Sequence, residues 1–165
     1  MNKKYKVGFF GGKFMPLHKG HYHVLEKAAA ECEKVYFVMY AGGEEERKAA
    51  DSDPYGAYLL PEERFNRVIA AASDFDNVIP VYFDVSDYML PDGSEDWNAE
   101  VDQVYCFTGP YLDAIYGSEP AYSTYYRENF PGAVYVIVDP DRHDVNISAT
   151  AIRNMTPEQR EKWLV

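Results

Sequence analysis

Residues 12–28 read G-K-F-M-P-L-H-K-G-H-Y-H-V-L-E-K-A. Ahead of this stretch, K-V-G-F-F (residues 6–10) has the composition of a short buried strand, and Gly11 and Gly12 interrupt it. After the turn at Pro16, residues 20–33 carry Val24, Leu25 and Ala28 on one helical face. Residues 34–40, K-V-Y-F-V-M-Y, read as a second strand. Strand, glycine turn, helix and strand make a βαβ unit, and its turn holds three of the chain's four histidines: His18, His21 and His23.

The rest of the chain repeats this alternation. Residues 41–60 read as a polar loop with an acidic knot at Glu44, Glu45 and Glu46. Pro61 opens a helix that runs to about Ala72. A third strand is expected at residues 78–83, followed by a loop at 86–96 and a helix at 97–107. Within that helix, residues 104–107 also fit a strand. Residues 112–116 are the preferred fourth strand, 120–129 a helix and 133–138 a fifth strand. Thr156, Pro157 and Gln159 form a capping-box start for the last helix. The pattern predicts a Rossmann-like α/β fold: a mostly parallel five-stranded sheet with helices on both faces, formed by residues 1–165 as one domain. In such sheets ligands bind beyond the carboxyl ends of the strands, where the histidine stretch lies.

Composition narrows the function. A chain of 165 residues can bury about 70% of the surface its unfolded form exposes, so it needs no disulfide or structural metal. A net charge of −11 argues against general affinity for nucleic acid or anionic membrane. The two cysteines, Cys32 and Cys106, form no CxxC pair and suit a reducing compartment. No segment reaches the length of a membrane span and the apolar run near the N-terminus is too short for a signal peptide, so a cytoplasmic location is expected.

The histidines allow three readings. As metal ligands they lack the usual third or fourth partner and the HExxH spacing, so no protein metal site is expected. His23 falls on another side of the helix and reads as surface or packing. As a phosphate site the stretch is better equipped. A glycine turn leading into a helix N-terminus offers unpaired N–H groups and a partial positive charge. Lys13 adds a full charge, His18 and His21 add imidazole donors, and Gly20 has no side chain to obstruct a ligand.

Gly12, Phe14, Pro16, His18, Gly20 and His21 resemble the (G/K)xFxPxHxGH signature of the nucleotidyltransferase superfamily. A second stretch, I-S-A-T-A-I-R (residues 147–153), resembles its ISxTxxR motif. Ser148 and Thr150 are hydroxyl donors and caps, and Arg153 is a fork-shaped donor for phosphate oxygens. V-D-P-D-R (residues 138–142) and G-S-E-P (117–120) are similar to the nicotinamide-nucleotide adenylyltransferase domain of NadR-like bacterial enzymes. So are Arg64 in P-E-E-R-F and Trp97 after P-D-G, although Ser94 stands where those proteins usually carry a first tryptophan. No P-loop of the fused kinase type is present, so the resemblance implies a stand-alone enzyme or one domain of a longer chain.

The resemblance implies an enzyme that transfers AMP from ATP to nicotinamide mononucleotide, giving NAD and pyrophosphate. His18, His21 and Lys13 would be catalytic. Gly12, Phe14, Gly20, Ser148, Thr150 and Arg153 would bind ATP and its phosphates. Trp97, Arg64, Ser118, Glu119, Asp139 and Arg142 would bind the acceptor. Mg²⁺ would bridge phosphate oxygens with few or no protein ligands. Homo-oligomers are common in the superfamily. Other readings stay open here. The acceptor could be phosphopantetheine or an alcohol or sugar phosphate, or the domain could sense NAD or ATP without catalysis. Asp139 and Arg142 also fit a strand-end turn with a local ion pair, Trp97 fits packing, and Tyr122, Tyr125 and Tyr126 fit core or interface.

Overall fold

Alternation of residue size and polarity along the strands sorts the chain into two packed faces. The computed structural model describes residues 2–53 and 56–165. Its strands are β1 (Tyr5–Gly12), β2 (Cys32–Ala41), β3 (Val78–Asp84), β4 (Ala114–Gly117) and β5 (Val134–Ile137). The helices are α1 (Lys19–Glu31), α2 (Glu44–Ser52), α3 (Pro61–Ala72), α4 (Trp97–Thr108), α5 (Ser123–Asn129), α6 (Ala149–Arg153) and α7 (Pro157–Glu161). The strands form one sheet in the order β3-β2-β1-β4-β5. Every pairing is parallel, so the expected mostly parallel sheet is wholly so.

Successive side chains of a strand point to opposite faces. Phe10, Phe37, Met39 and Tyr116 therefore join Val24, Leu25, Ala28, Val68 and Ala71 in one core under α1 and α3. Phe9, Val38, Phe83 and Ile115 join Val104, Leu112 and Phe130 in a second core under α4 and α5. Helices thus cover both faces, as expected of a parallel sheet.

The chain builds outward from β1 through β2 to β3, then crosses back to place β4 on the other side of β1. This reversal leaves a crevice at the carboxyl ends of β1 and β4, the usual ligand position in such sheets. The glycine turn after β1 opens directly into it.

Two expectations need correction and one open alternative closes. Residues 41–60 are not a loop throughout: α2 occupies Glu44–Ser52 and a 3₁₀ turn occupies Gly56–Leu59, while residues 54 and 55 lie outside the described residues. Its charged sequence hides the helix, because its anchor is a distant ion pair between Glu46 and Arg64 on α3. The stretch 104–107 is helical, since Val104 and Thr108 turn to the core one turn apart. The fourth strand starts at Ala114, after Leu112, which is buried all the same.

Candidate active site

The first histidine of the motif is a helix cap. His18 takes an extended backbone (φ −137°, ψ 174°) as the N-cap of α1, and His21 is the third residue of the helix. His18 Nδ1 accepts hydrogen bonds from the backbone N–H of Gly20 (3.0 Å) and His21 (3.4 Å). His21 Nδ1 accepts one from the backbone N–H of His18 (3.2 Å). The two rings stack with centroids 3.7 Å apart.

These bonds determine the tautomers. A ring nitrogen that accepts from an amide carries no proton, so in each neutral ring the proton sits on Nε2. Burial, reinforced by the Arg142 guanidinium, lowers the pKa of His18 to about 4. Burial and the neighbouring charges of His18 and Arg142 hold His21 well below its usual range. Both are therefore neutral Nε2–H donors at pH 7.

The motif's other residues serve that pair. Phe14 adopts a positive φ of 50°, rare for a non-glycine residue, and its Met15–Pro16 peptide bond is cis. Its ring is buried and meets His21 edge-on at 4.9 Å and Phe37 at 4.9 Å. Phe14 thus packs against His21 while lining the same cavity as the two histidines. A Cβ at Gly20 would lie 2.8 Å from the His18 ring, and one at Gly12 would lie 2.9 Å from the Phe14 ring. These glycines make room for the motif's own rings as well as for a ligand.

His18 and His21 line a cavity of about 300 Å³ with Gly12, Gly20, Ser118, Glu119, Asp139, Arg142, Ser148 and Thr150. Most of the predicted site residues therefore converge. Ser148 caps α6, its Oγ accepting from the Ala151 N–H at 3.1 Å. Arg153 stands behind this wall. It donates to the Met15 carbonyl (2.7 Å) and to Thr150 Oγ1 (3.3 Å), and so ties the second motif to the first. It faces a neighbouring open depression bounded by Thr150, Asp53 and Arg160.

Asp139 and Arg142 organise the loop between β5 and α6. Asp139 (φ 48°) accepts from the backbone N–H groups of His143, Asp144 and Val145 at 2.7, 3.0 and 3.0 Å. Arg142 donates to the Ile147 carbonyl at 2.6 Å and to Glu119 at 3.2 Å. These contacts join the G-S-E-P turn to the second motif.

Arg64 and Lys13 are among the predicted residues that lie outside the histidine cavity. Arg64 is fully buried and donates to the Leu59 carbonyl at 2.9 Å, the Lys13 carbonyl at 2.5 Å and Glu46. It does not face the histidine cavity; it holds the glycine turn from beneath. Lys13 turns its ammonium to Glu95, 3.7 Å away, in an adjoining cavity. This second cavity, about 310 Å³, is lined by Lys13, Tyr40, Glu95, Trp97, Glu100 and three tyrosines. Gly11, Gly12, Tyr122 and Tyr126 line both cavities, which are compartments of one cleft.

Trp97, the first residue of α4, is 40% exposed. It meets Tyr122 and Tyr125 edge-on with centroids 5.3 and 5.4 Å away. Tyr122 and Tyr126, which sequence spacing suggested as core or interface, form the wall between the compartments. Glu95 and Glu100 escape the sequence reading altogether. The available sign is Glu100 itself, a carboxylate one turn before the buried Val104 on the same helix face.

The carboxylates of the histidine compartment are already engaged, Asp139 by amides and Glu119 by Arg142. They fit a divalent ion that is carried on a nucleotide's phosphates and retains its waters, not one held in a protein cage. Elsewhere, His23, Asp139 and Asp144 bring ligand-type atoms within 4.8 Å of one another, but His23 and Asp144 already pair with each other at 3.2 Å. Among the described residues no helix is long and apolar enough to cross a membrane.

Comparison with known proteins places this geometry. The trifunctional NAD biosynthesis/regulator protein NadR of Escherichia coli K12 is 25% identical over 152 residues, which is 92% of this chain and 37% of NadR. The NadR of Salmonella typhimurium LT2 is 25% identical over 148 residues, 89% of this chain and 36% of its own length. The chain thus spans little more than a third of these relatives. A crystal structure of NadR with NAD and AMP-PNP superposes with a TM-score of 0.64 at 27% identity, covering 99% of this chain and 46% of that one. A bifunctional NMN adenylyltransferase/ADP ribose pyrophosphatase from Francisella tularensis gives 0.57 at 26% identity, covering 90% and 41%. The model of the cytidylyltransferase-like family matches residues 9–155, which run from β1 past α6 and include both motifs. The chain therefore belongs to the cytidylyltransferase-like family and is a nucleotidyltransferase.

Proposed function

We propose that this chain transfers the AMP moiety of ATP to nicotinamide mononucleotide, forming NAD and releasing pyrophosphate. The observation that carries the proposal is the stacked pair of neutral imidazoles at the start of α1, opening onto an aromatic compartment large enough for a pyridine ring. The likeness to NadR and to the Francisella NMN adenylyltransferase supports the same acceptor. Residues 1–165 act in this reading as one catalytic domain.

The reaction needs no protein nucleophile. A phosphate oxygen of the mononucleotide attacks the α-phosphorus in line, the bond from that phosphorus to the bridging oxygen breaks, and pyrophosphate leaves with the electron pair. Catalysis comes from positioning and from donors aimed at the developing charge. The Nε2–H groups of His18 and His21 point to the α-phosphate. The hydroxyls of Ser148 and Thr150, with Arg153 behind them, take the outer phosphates. A divalent cation such as Mg²⁺, carried on those phosphates, would offset their charge. Lys13, facing Glu95 at 3.7 Å, adds positive charge to the cleft from that position. Trp97 and Tyr122 flank the pyridine ring, with Ser118, Glu119 and Arg142 on the far wall.

Pyrophosphate release from ATP and Mg²⁺ tests this, with nicotinamide mononucleotide or phosphopantetheine as acceptor. Release with the pyridine mononucleotide is expected. Trp97→Ala is expected to raise its KM roughly tenfold, in line with the loss of one aromatic contact, and to leave the KM for ATP unchanged. Release with phosphopantetheine alone would refute the acceptor and keep the mechanism.

A further inference from the structure

We propose that the side chains of Glu95 and Glu100 select the acceptor: they admit a ring bearing a neutral carboxamide and turn away one bearing a carboxylate. The inference rests on the pyridine-nucleotide reading above and assigns residues to a discrimination which that reading leaves open.

The two carboxyl groups come from one short segment. Glu95 precedes the Asp96 N-cap of α4, and Glu100 lies on the first turn of the helix. Both face the aromatic compartment beside Trp97. Glu100 is 4% exposed, and the side chain of Glu95 is almost as enclosed. Among the described residues, no hydrogen-bond donor reaches Glu100 Oε1. Buried polar atoms of native proteins nearly always have a partner. At this end of the compartment the wall is made of the Glu95 and Glu100 carboxyl groups, which suit a ligand group that brings donors, and a primary amide carries two N–H groups.

Charge favours the same choice. Lys13 is the one cation among the residues lining this compartment, and its ammonium already faces Glu95 at 3.7 Å. Burial, and then the hydrogen bond to Glu95, push the Glu100 pKa well above the usual carboxylate range. Glu100 thus tends to keep its proton beside Glu95, and Lys13 faces the pair. The proton is engaged between the two carboxyls, so Glu100 has only an acceptor left to offer. A ligand carboxylate would meet acceptor against acceptor, with no cation unused among the lining residues. The amide meets acceptor with donor.

The test measures kcat/KM for nicotinamide mononucleotide and for its nicotinic acid analogue at saturating ATP and Mg²⁺. Wild type, Glu100→Gln and Glu95→Gln are compared. The wild type is expected to favour the amide at least tenfold. Glu100→Gln, which places an N–H donor in the same space, should shrink that ratio several-fold by raising the rate with the acid, while the KM for ATP stays unchanged. Binding of NAD and its deamidated form to the wild type by calorimetry gives a measurement independent of the variants' folding; at least tenfold tighter NAD is expected. Equal use of the two acceptors, a preference for the acid, or a ratio unmoved in both variants would overturn the selection and leave the adenylyltransferase reading standing. Activity with neither pyridine mononucleotide would overturn both.

Discussion

His18 and His21 cap one another: the side chain of each accepts the backbone N–H of the other, at 3.4 and 3.2 Å. The same bonds that end α1 therefore set the tautomer of both rings and aim their N–H groups into the cleft. Structure and chemistry can be separated by choosing the replacement. His18→Asn keeps an N-cap acceptor but has no Nε2–H. We expect folding stability within about 1 kcal/mol of wild type and a fall in kcat of roughly 100-fold or more, the usual loss on removing one transition-state donor. His18→Ala should lose about 1 kcal/mol of stability as well. Urea unfolding beside single-turnover kinetics distinguishes the two.

Acid should destabilise the protein through the same residues. His18 is neutral in the folded state down to about pH 4, whereas an unfolded histidine protonates near 6.5. Between these values the unfolded chain binds more protons, so stability rises with pH. The contribution is complete above pH 6.5 and is lost as pH falls from 6.5 through 4. From His18 it amounts to about 3 kcal/mol, and His21 acts in the same direction. Urea midpoints at pH 7.5, 5.5 and 4.5 should fall steadily in the wild type and less in His18→Asn. Equal slopes in the two proteins would contradict the assignment.

Arg64 supports the glycine turn of the candidate site without lining its cavity. Its guanidinium is buried and joins the Lys13 carbonyl to Glu46 of α2. Arg64→Met leaves the Glu46 carboxylate buried without its partner, an arrangement that costs about 3–5 kcal/mol. We expect a large drop in thermal midpoint and a weaker affinity for ATP, because the glycine turn loses its support. The double variant Glu46→Leu, Arg64→Met removes both charges and should recover most of the stability. Differential scanning calorimetry of the two variants tests this.

Gly20→Ala reverses a familiar expectation. Alanine usually favours a helix over glycine by about 1 kcal/mol. Here the added Cβ would sit 2.8 Å from the His18 ring. The ring must move, and its Nδ1 bond to the residue-20 amide must stretch. We expect no gain in stability and at least a tenfold loss in kcat/KM for ATP. A thermal shift with steady-state kinetics gives both readings, and a stabilised, fully active variant would show that the ring yields at no cost.

The βαβ unit, the order of the strands along the chain and both phosphate motifs are legible in the sequence, because each is written by neighbours in the chain. Glycines after an apolar run, histidines at a helix start and Ser148 ahead of α6 act over a few residues, and hydrophobic period separates strand from helix. α2 was hidden for the opposite reason: its run of charges reads as solvated until Glu46 finds Arg64 on the next helix. The direction of the Lys13 side chain, the service of Phe14 and Arg64 as supports, and the tyrosine wall between the compartments are decided by packing across the sheet. So is the meeting of Glu95 and Glu100 with Lys13. Lys13 is distant along the chain from the two glutamates and meets them only because α4 lies on the crossover from β3 back to β4, beside β1. The sequence by itself determined which groups could handle phosphate. The tertiary structure decided which of them face the cleft, because burial and pairing depend on residues that no local pattern brings together.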